Sequence, residues 1–185
     1  GLHEGEVRRM LIDRKEYNIS GDTDYTIWGS IHLPDIAALT TLPSIEVIRD
    51  AARISISWNG ISNFVCDDIK LYNTFTAGMI IPSAPATLTE PASATTGIFN
   101  ARISGQTAVV HAYERKSNAS PYLILKGKYG STAATFYRIA LAQVNPPAYT
   151  PLDIKRNHQY DIRILEIDGP GYATLDEALR YPPFN

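Results

Sequence analysis

The chain has 185 residues, enough for one large or two small domains. Its net charge is −2 with lysines and arginines scattered, which excludes a basic field for nucleic acid or anionic lipid. Apolar residues make up 44%, ordinary for a folded protein, yet no run approaches the ~18 apolar residues that a membrane-spanning helix needs. Eleven tyrosines, 12 glycines and 12 prolines beside two methionines favour many short strands and turns.

Glu6 to Ile12 and Tyr25 to Leu33 read as strands, the second alternating through Tyr25, Ile27, Gly29 and Ile31. Asp35 to Leu42 reads as one helical turn or a loop. Ile45, Val47, Ala52, Ile54, Ile56 and Trp58 mark a strand pair or one long bent strand, ended by the Asn59-Gly60 turn signal. In the next strand Val65, Asp67, Ile69 and Leu71 share one parity and are expected to face the core. Phe64, Cys66, Asp68, Lys70 and Tyr72 take the other face. Residues 82–97 are small, proline-rich and nearly uncharged, which predicts a loop or interdomain linker.

The second half is more regular. Ala108 to Glu114 is a predicted strand, Ser117 to Ser120 a turn, and Tyr122 to Leu125 a buried apolar run that continues to Tyr129. Gly130-Ser131-Thr132 turns the chain into a strand from Thr135 to Leu141, which Asn145-Pro146-Pro147 ends. Tyr160, Ile162, Ile164 and Ile167 are spaced as one strand face. Gly169-Pro170-Gly171 breaks that strand and predicts a turn with at least one glycine at positive φ. Thr174 and Glu177 have the spacing of a capping box, so a short helix should run from Leu175 to Leu179.

Catalytic and metal chemistry find little support. His3, His32, His111 and His158 show no metal-ligand spacing with one another or with cysteine. His158 sits in Arg156-Asn157-His158, read as a turn that hydrogen-bonds the backbone where the last strand begins. There is no Gly-x-Ser-x-Gly elbow or phosphate loop, and Gly169-x-Gly171 lacks the third glycine of a dinucleotide site. The residues therefore suggest no enzyme, no cofactor and no metal. Asp67-Asp68 reads as a solvated face, and Asn18, Asp22 and Asp24 as an acidic loop with a weak calcium site as the alternative. Cys66 has no second cysteine for an intrachain disulfide and reads as a buried thiol. Tyr72, Tyr122, Tyr129, Tyr137, Tyr149 and Tyr172 read as core or strand cover, with a glycan platform as the alternative. Asn118-Ala119-Ser120 matches a glycosylation acceptor, and Gly1 to Glu6 shows no signal-peptide core.

The order Arg156-Asn157-His158-x-Tyr160, alternating strand, Gly169-Pro170-Gly171-Tyr172, then Thr174-x-x-Glu177-Ala178-Leu179 resembles the C-terminal domain of the Bacteroidetes fimbrillin family. These are the subunits of type V pili and their relatives. Arg49 to Ile56, Ile69 to Asn73, Gly78 to Pro82, Tyr113-Glu114, Leu125 to Tyr129 and Phe136 to Ile139 resemble further family motifs. The resemblance covers roughly residues 45 to 181 and is strongest after Ala108. It implies an all-β fold of two transthyretin-like β-sandwich domains with a short C-terminal helix. Residues 1–82 would be the C-terminal part of an incomplete first sandwich, 83–97 the linker, and 98–185 the second sandwich. The second sandwich would carry Val109, Leu123, Leu125, Phe136, Ile139, Ile162 and Ile164 as core. Against the family pattern the chain looks truncated at both ends.

The function implied is that of a structural subunit or accessory protein of a bacterial surface fimbria. Such a pilin is exported as a lipoprotein precursor to the outer membrane, trimmed by an arginine-specific protease, and joined to other pilin subunits by donor-strand exchange. Arg8, Arg9 and Arg14 are arginines near the present N-terminus. The candidate structural residues are the turn and cap, Gly169, Pro170, Gly171, Thr174 and Glu177. The candidate assembly groove is Ile54, Ile56 and Trp58, on a strand expected to border an exposed groove or to be satisfied by a neighbouring molecule. The alternative is a non-polymerising surface adhesin or tip lectin that binds glycan or host protein.

Overall fold

The computed structural model describes residues 11–13, 27–29, 44–81, 87–145 and 148–181. Strands are β1 (Leu11–Asp13), β2 (Ile27–Trp28), β3 (Ile48–Arg49), β4 (Ala52–Ser57), β5 (Phe64–Phe75), β6 (Ala77–Met79), β7 (Thr96–Asn100), β8 (Arg102–Ser104) and β9 (Thr107–Ala112). They continue with β10 (Tyr122–Tyr129), β11 (Thr135–Ala140), β12 (Ala142–Asn145), β13 (Ala148–Pro151) and β14 (Gln159–Arg163), and helix α1 spans Leu175–Arg180. The expected all-β class with one short C-terminal helix is observed. The predicted helix or loop at Asp35 to Leu42 lies outside the described residues.

Two four-stranded sheets dominate. Sheet I has the order β11-β10-β5-β7 and sheet II the order β14-β4-β9-β8. Two-stranded pairs β1–β6, β2–β3 and β12–β13 lie beside them. Neighbours are antiparallel except β14, which lies parallel to β4 with Ile162 opposite Ile56. The alternation of β4 explains its place: Ala52, Ile54 and Ile56 enter the core while Arg53, Ser55 and Ser57 face outward. One core joins these residues with Ala108 and Val110 of sheet II and with Ile69, Leu71, Phe99, Leu123 and Leu125 of sheet I. In β10 every residue from Tyr122 to Leu125 is buried, because Leu123 and Leu125 face that core while Tyr122 and Ile124 lie under α1.

The two-domain division does not describe this arrangement. β4 and β5, upstream of the expected linker, pair directly with β9, β10 and β14 downstream of it. The described residues thus form one sandwich with one shared core. Small, proline-rich composition marks a connection, and this one leads from β6 to β7; it does not mark where a core ends. β7 itself begins inside the expected linker, at Thr96. The greater packing expected of the second half is also not seen. Ile54, Ile56, Ile69 and Leu71 are as deeply buried as Leu123 and Leu125, whereas Val109, Phe136, Ile139, Ile162 and Ile164 are only half-buried.

The parity expected for β5 changes part-way along the strand. Against β10 the register steps from Lys126–Asp68 to Gly127–Cys66, so Asp67 is an extra residue, a β-bulge. Before the bulge Phe64 points inward and Val65 is 62% exposed; after it Ile69 and Leu71 point inward. A second irregularity, between Leu71 and Thr74 against β7, places Asn73 at φ 60. Strict period-two counting cannot anticipate an inserted residue.

Cys66 is half-buried and donates to the Asp68 carbonyl oxygen at 3.7 Å. Burial, the main cause, pushes its thiol up to about 12, with Asp67 and Asp68 adding to the rise. Burial also raises the Tyr72, Tyr122 and Tyr160 hydroxyls.

Two predictions follow from the shared core. Leu123→Ala should cost about 2–5 kcal/mol in urea unfolding, and Ile162→Ala clearly less, with both halves of the sandwich lost in one cooperative transition. Two separated transitions would count against a shared core. The second concerns alkaline pH. An unfolded Cys66 loses its proton near the ordinary value of 9.0 while the folded one holds it to about 12, so the folded state binds more protons in between. The raised tyrosines act in the same direction. Stability should be complete below pH 9 and fall between 9 and 12; Cys66→Ser should flatten that fall in a pH series of urea midpoints.

Candidate functional site

The fimbrillin-like motifs converge on the stretch from Arg156 to Tyr181, and its first residues are tied to a buried charge. Arg156 meets Glu114 through Nη2 at 2.7 Å and Nε at 2.9 Å, with side chains only 6% and 5% exposed. Arg156 Nη1 also donates to the Ile80 carbonyl, and the Thr89 amide donates to the same Glu114 oxygen. Removing either partner would leave the other charge buried alone, a loss of about 3–5 kcal/mol. Asn157, at φ 57, donates its amide to the Ala51 carbonyl, and the Arg53 amide donates to the His158 carbonyl. His158 Nδ1 lies 2.7 Å from the Arg156 carbonyl oxygen. The Arg156-Asn157-His158 turn therefore bonds backbone at the mouth of β14, as its sequence suggests. Its ion pair, between residues 42 positions apart, is not visible to local reading.

Residues 164–172 then cross the side of the sandwich that β7 and β8 do not close. The Ile164 amide continues the pairing by donating to the Ser57 carbonyl, and Ile164 and Ile167 rest on the main core. At sheet I, Tyr137 Oη donates to the Gly169 carbonyl at 2.9 Å and the Gly171 amide to Thr135 Oγ1 at 2.9 Å. Phe136 and Tyr172 exchange two backbone hydrogen bonds, at 2.8 and 2.9 Å.

The candidate turn is structural, but not in the way expected: neither Gly169 nor Gly171 has positive φ. At Gly171 the requirement is close approach, since a Cβ would run into the Phe136 carbonyl and lie 3.1 Å from the Tyr137 ring. Gly169 has nothing within 4 Å of that position. The cap forms as expected: the Glu177 amide donates to Thr174 Oγ1 at 3.2 Å and the Thr174 amide to Glu177 Oε2 at 3.0 Å. The helix it starts runs one residue further than predicted. Ala178 is fully buried against Tyr72, Tyr122 and Ile124, and Arg138 lies 4.0 Å over the Tyr122 ring while donating to the Leu179 and Tyr181 carbonyls.

The candidate assembly groove is not a groove. Ile54, Ile56 and Trp58 are at most 2% exposed, and β4 is paired along both edges, by β9 and β14. The expectation placed β4 at the edge of an incomplete sandwich; β14, about a hundred residues downstream in sequence, supplies the missing neighbour. A different element is lightly held. β1 pairs with β6 alone, and β6 has no other strand neighbour among the described residues.

Other candidates find ordinary places. Asp68 pairs with Lys70 at 3.4 Å on the surface. Tyr72 and Tyr122 stack on each other beneath α1, Tyr137 is buried, and Tyr129 and Tyr172 are half-buried. Asn118 is exposed in a short 3-10 turn. Asn18, Asp22, Asp24, Arg8, Arg9 and Arg14 lie outside the described residues, as does the side chain of Tyr149.

No family model matches the chain. It is 30% identical over 178 residues to the major fimbrium tip subunit FimE of Porphyromonas gingivalis, an alignment covering 83% of this chain and 31% of that protein. Over most of its length the chain is thus similar to a fimbrial protein of the Bacteroidetes fimbrillin kind. It spans about a third of the length of the curated relative it matches. The fimbrillin-like fold is also seen in the tip fimbrial protein Mfa3 of Porphyromonas gingivalis, solved with a C-terminal truncation. That likeness has a TM-score of 0.50 at 16% identity and covers 66% of this chain and 49% of that one.

In this fimbrillin-like chain the two glycines should respond differently to a methyl group. Gly171→Ala should cost about 1–3 kcal/mol through overpacking, and Gly169→Ala little, as read from thermal midpoints. Thr174→Ala should cost about 1 kcal/mol by loss of the cap; an unchanged midpoint would mean the cap contributes nothing.

Proposed function

We propose that the chain is a structural or accessory subunit of a bacterial surface fimbria, joined to other pilin subunits by strand donation at the cell surface. The role rests on the similarity to a fimbrium tip subunit. The mechanism is supported by the place of β1, a three-residue strand whose strand partner among the described residues is β6. Arg14 directly follows β1 in sequence. Cleavage after Arg14 by an arginine-specific protease would free β1 and leave the hydrogen-bonding edge of β6 open, with Ala77 and Ile81 buried beside it. An extended segment from a neighbouring subunit would restore the ladder and fill the apolar positions. Export as a lipoprotein precursor to the outer membrane belongs to the same reading.

The experiment is limited digestion with an arginine-specific protease, mapped by mass spectrometry. Cleavage after Arg14, which frees β1, is expected. Once its N-terminal peptide is washed away in mild denaturant, the cleaved chain should bind a synthetic peptide spanning Glu6 to Asp13 with a raised melting temperature. The intact chain should ignore the peptide. Absence of cleavage before Ile27, or a cleaved chain that keeps its original melting temperature, sinks strand donation at β6.

The tip-subunit name of the curated relative favours a second reading, a terminal adhesin that accepts a strand without donating one and binds glycan or host protein. Glycan or host-matrix binding by a chain that fails the peptide test would select it.

A further inference from the structure

The segment Gly169–Tyr181 is attached to the sandwich in an unusual way. Among the described residues, its hydrogen bonds to the sandwich include a set on the edge strand β11: Tyr137 to Gly169, Thr135 to Gly171, Phe136 to Tyr172, and Arg138 to Leu179 and Tyr181. Its packing forms a separate cluster on the outer face of sheet I, with Ala178 set against Tyr72, Tyr122 and Ile124, and with Phe136, Tyr172 and Leu179 at the rim. None of these residues belongs to the main core. Upstream, Ile167 is the last large apolar side chain packed against the main core. Asp168 is exposed, and the Gly169 carbonyl accepts from the Tyr137 hydroxyl, with no atom beyond its chain neighbours within 4 Å of where its Cβ would stand.

We propose that Gly169–Tyr181 is a clip that opens as a unit about Asp168–Gly169, uncovering the stacked Tyr72–Tyr122 pair and Ile124 while the sandwich stays folded. The latch consists of few groups. Gly171 must lie against the Phe136 backbone for the two strand-like bonds to form, and Arg138 must reach the last helical carbonyls while stacking on Tyr122. A six-residue helix has little stability of its own, so once the latch releases, α1 leaves with it. The hinge also gives Gly169 a purpose that its dihedral does not: a residue without a side chain has the widest choice of backbone angles, and nothing beyond its chain neighbours crowds its Cβ position. Pro170 then limits the range of that swing through its fixed φ.

The test is native-state hydrogen exchange on the whole chain, read amide by amide. The Tyr172, Ala178 and Tyr181 amides are all hydrogen-bonded within the clip or its latch, and so is the Phe136 amide, although Phe136 belongs to β11. These four should exchange together, on the order of 100-fold faster than the amides of β10 and β4. Gly171→Ala should accelerate the four and leave β10 unchanged. Protection equal to that of β10, or a Phe136 amide that parts from the other three, would overturn the clip. The native protein alone decides the question, so a variant that folds poorly does not leave it open.

Discussion

The buried pair of Glu114 and Arg156 is the constraint on which the topology leans. Two unit charges are withdrawn from water, and either one left alone would cost several kcal/mol, roughly 3–5 by analogy with other buried pairs. Arg156 therefore has one acceptable position, against the carboxylate that follows β9. That position sets where the chain turns and where β14 starts. It also fixes the register of the one parallel pair of sheet II, Gln159 to Arg163 beside Arg53 to Ser57. The pair is bound in turn to the Ile80 carbonyl, through Arg156, and the Thr89 amide, through Glu114, so Ile80 and Thr89 are held by the same ion pair.

With β14 in place, sheet II is complete and β4 becomes an interior strand. The consequences run through the core. Ile54 and Ile56 meet Leu71, Leu123 and Leu125 across the sandwich, and no boundary separates the two halves of the chain. The open side is closed by chain that leaves β14, rests Ile164 and Ile167 on the core, and reaches β11. The outer face of sheet I is then covered by α1, whose small Ala178 lets the helix approach the two stacked tyrosines.

These features separate two kinds of attachment. The eight strands of the sandwich are bound by long ladders and a common core. Among the described residues, β1 pairs with one strand, and the segment from Gly169 to Tyr181 is hydrogen-bonded to β11 and packed on the outer face of sheet I. Elements held on one side are those that exchange or open at low cost, because few groups must be released together.

Much of the local structure was legible in the sequence because its causes are local. Alternation in Ala52 to Ser57 and the apolar run at Tyr122 mark strands, Thr174 with Glu177 marks a helix start, and the Arg156-Asn157-His158 turn follows from residues that bond nearby backbone. The order of these motifs was enough to point to the family. What the tertiary structure alone decided are pairings across distance. The parallel contact of β4 and β14 turned a supposed groove into core, because a strand's burial depends on neighbours that its own residues do not name. The bulge at Asp67 moved Val65 to the surface and Phe64 inward, because one inserted residue reverses a period of two. Gly171 is a glycine because of the backbone it touches rather than the angle it adopts, and that backbone lies 35 residues away.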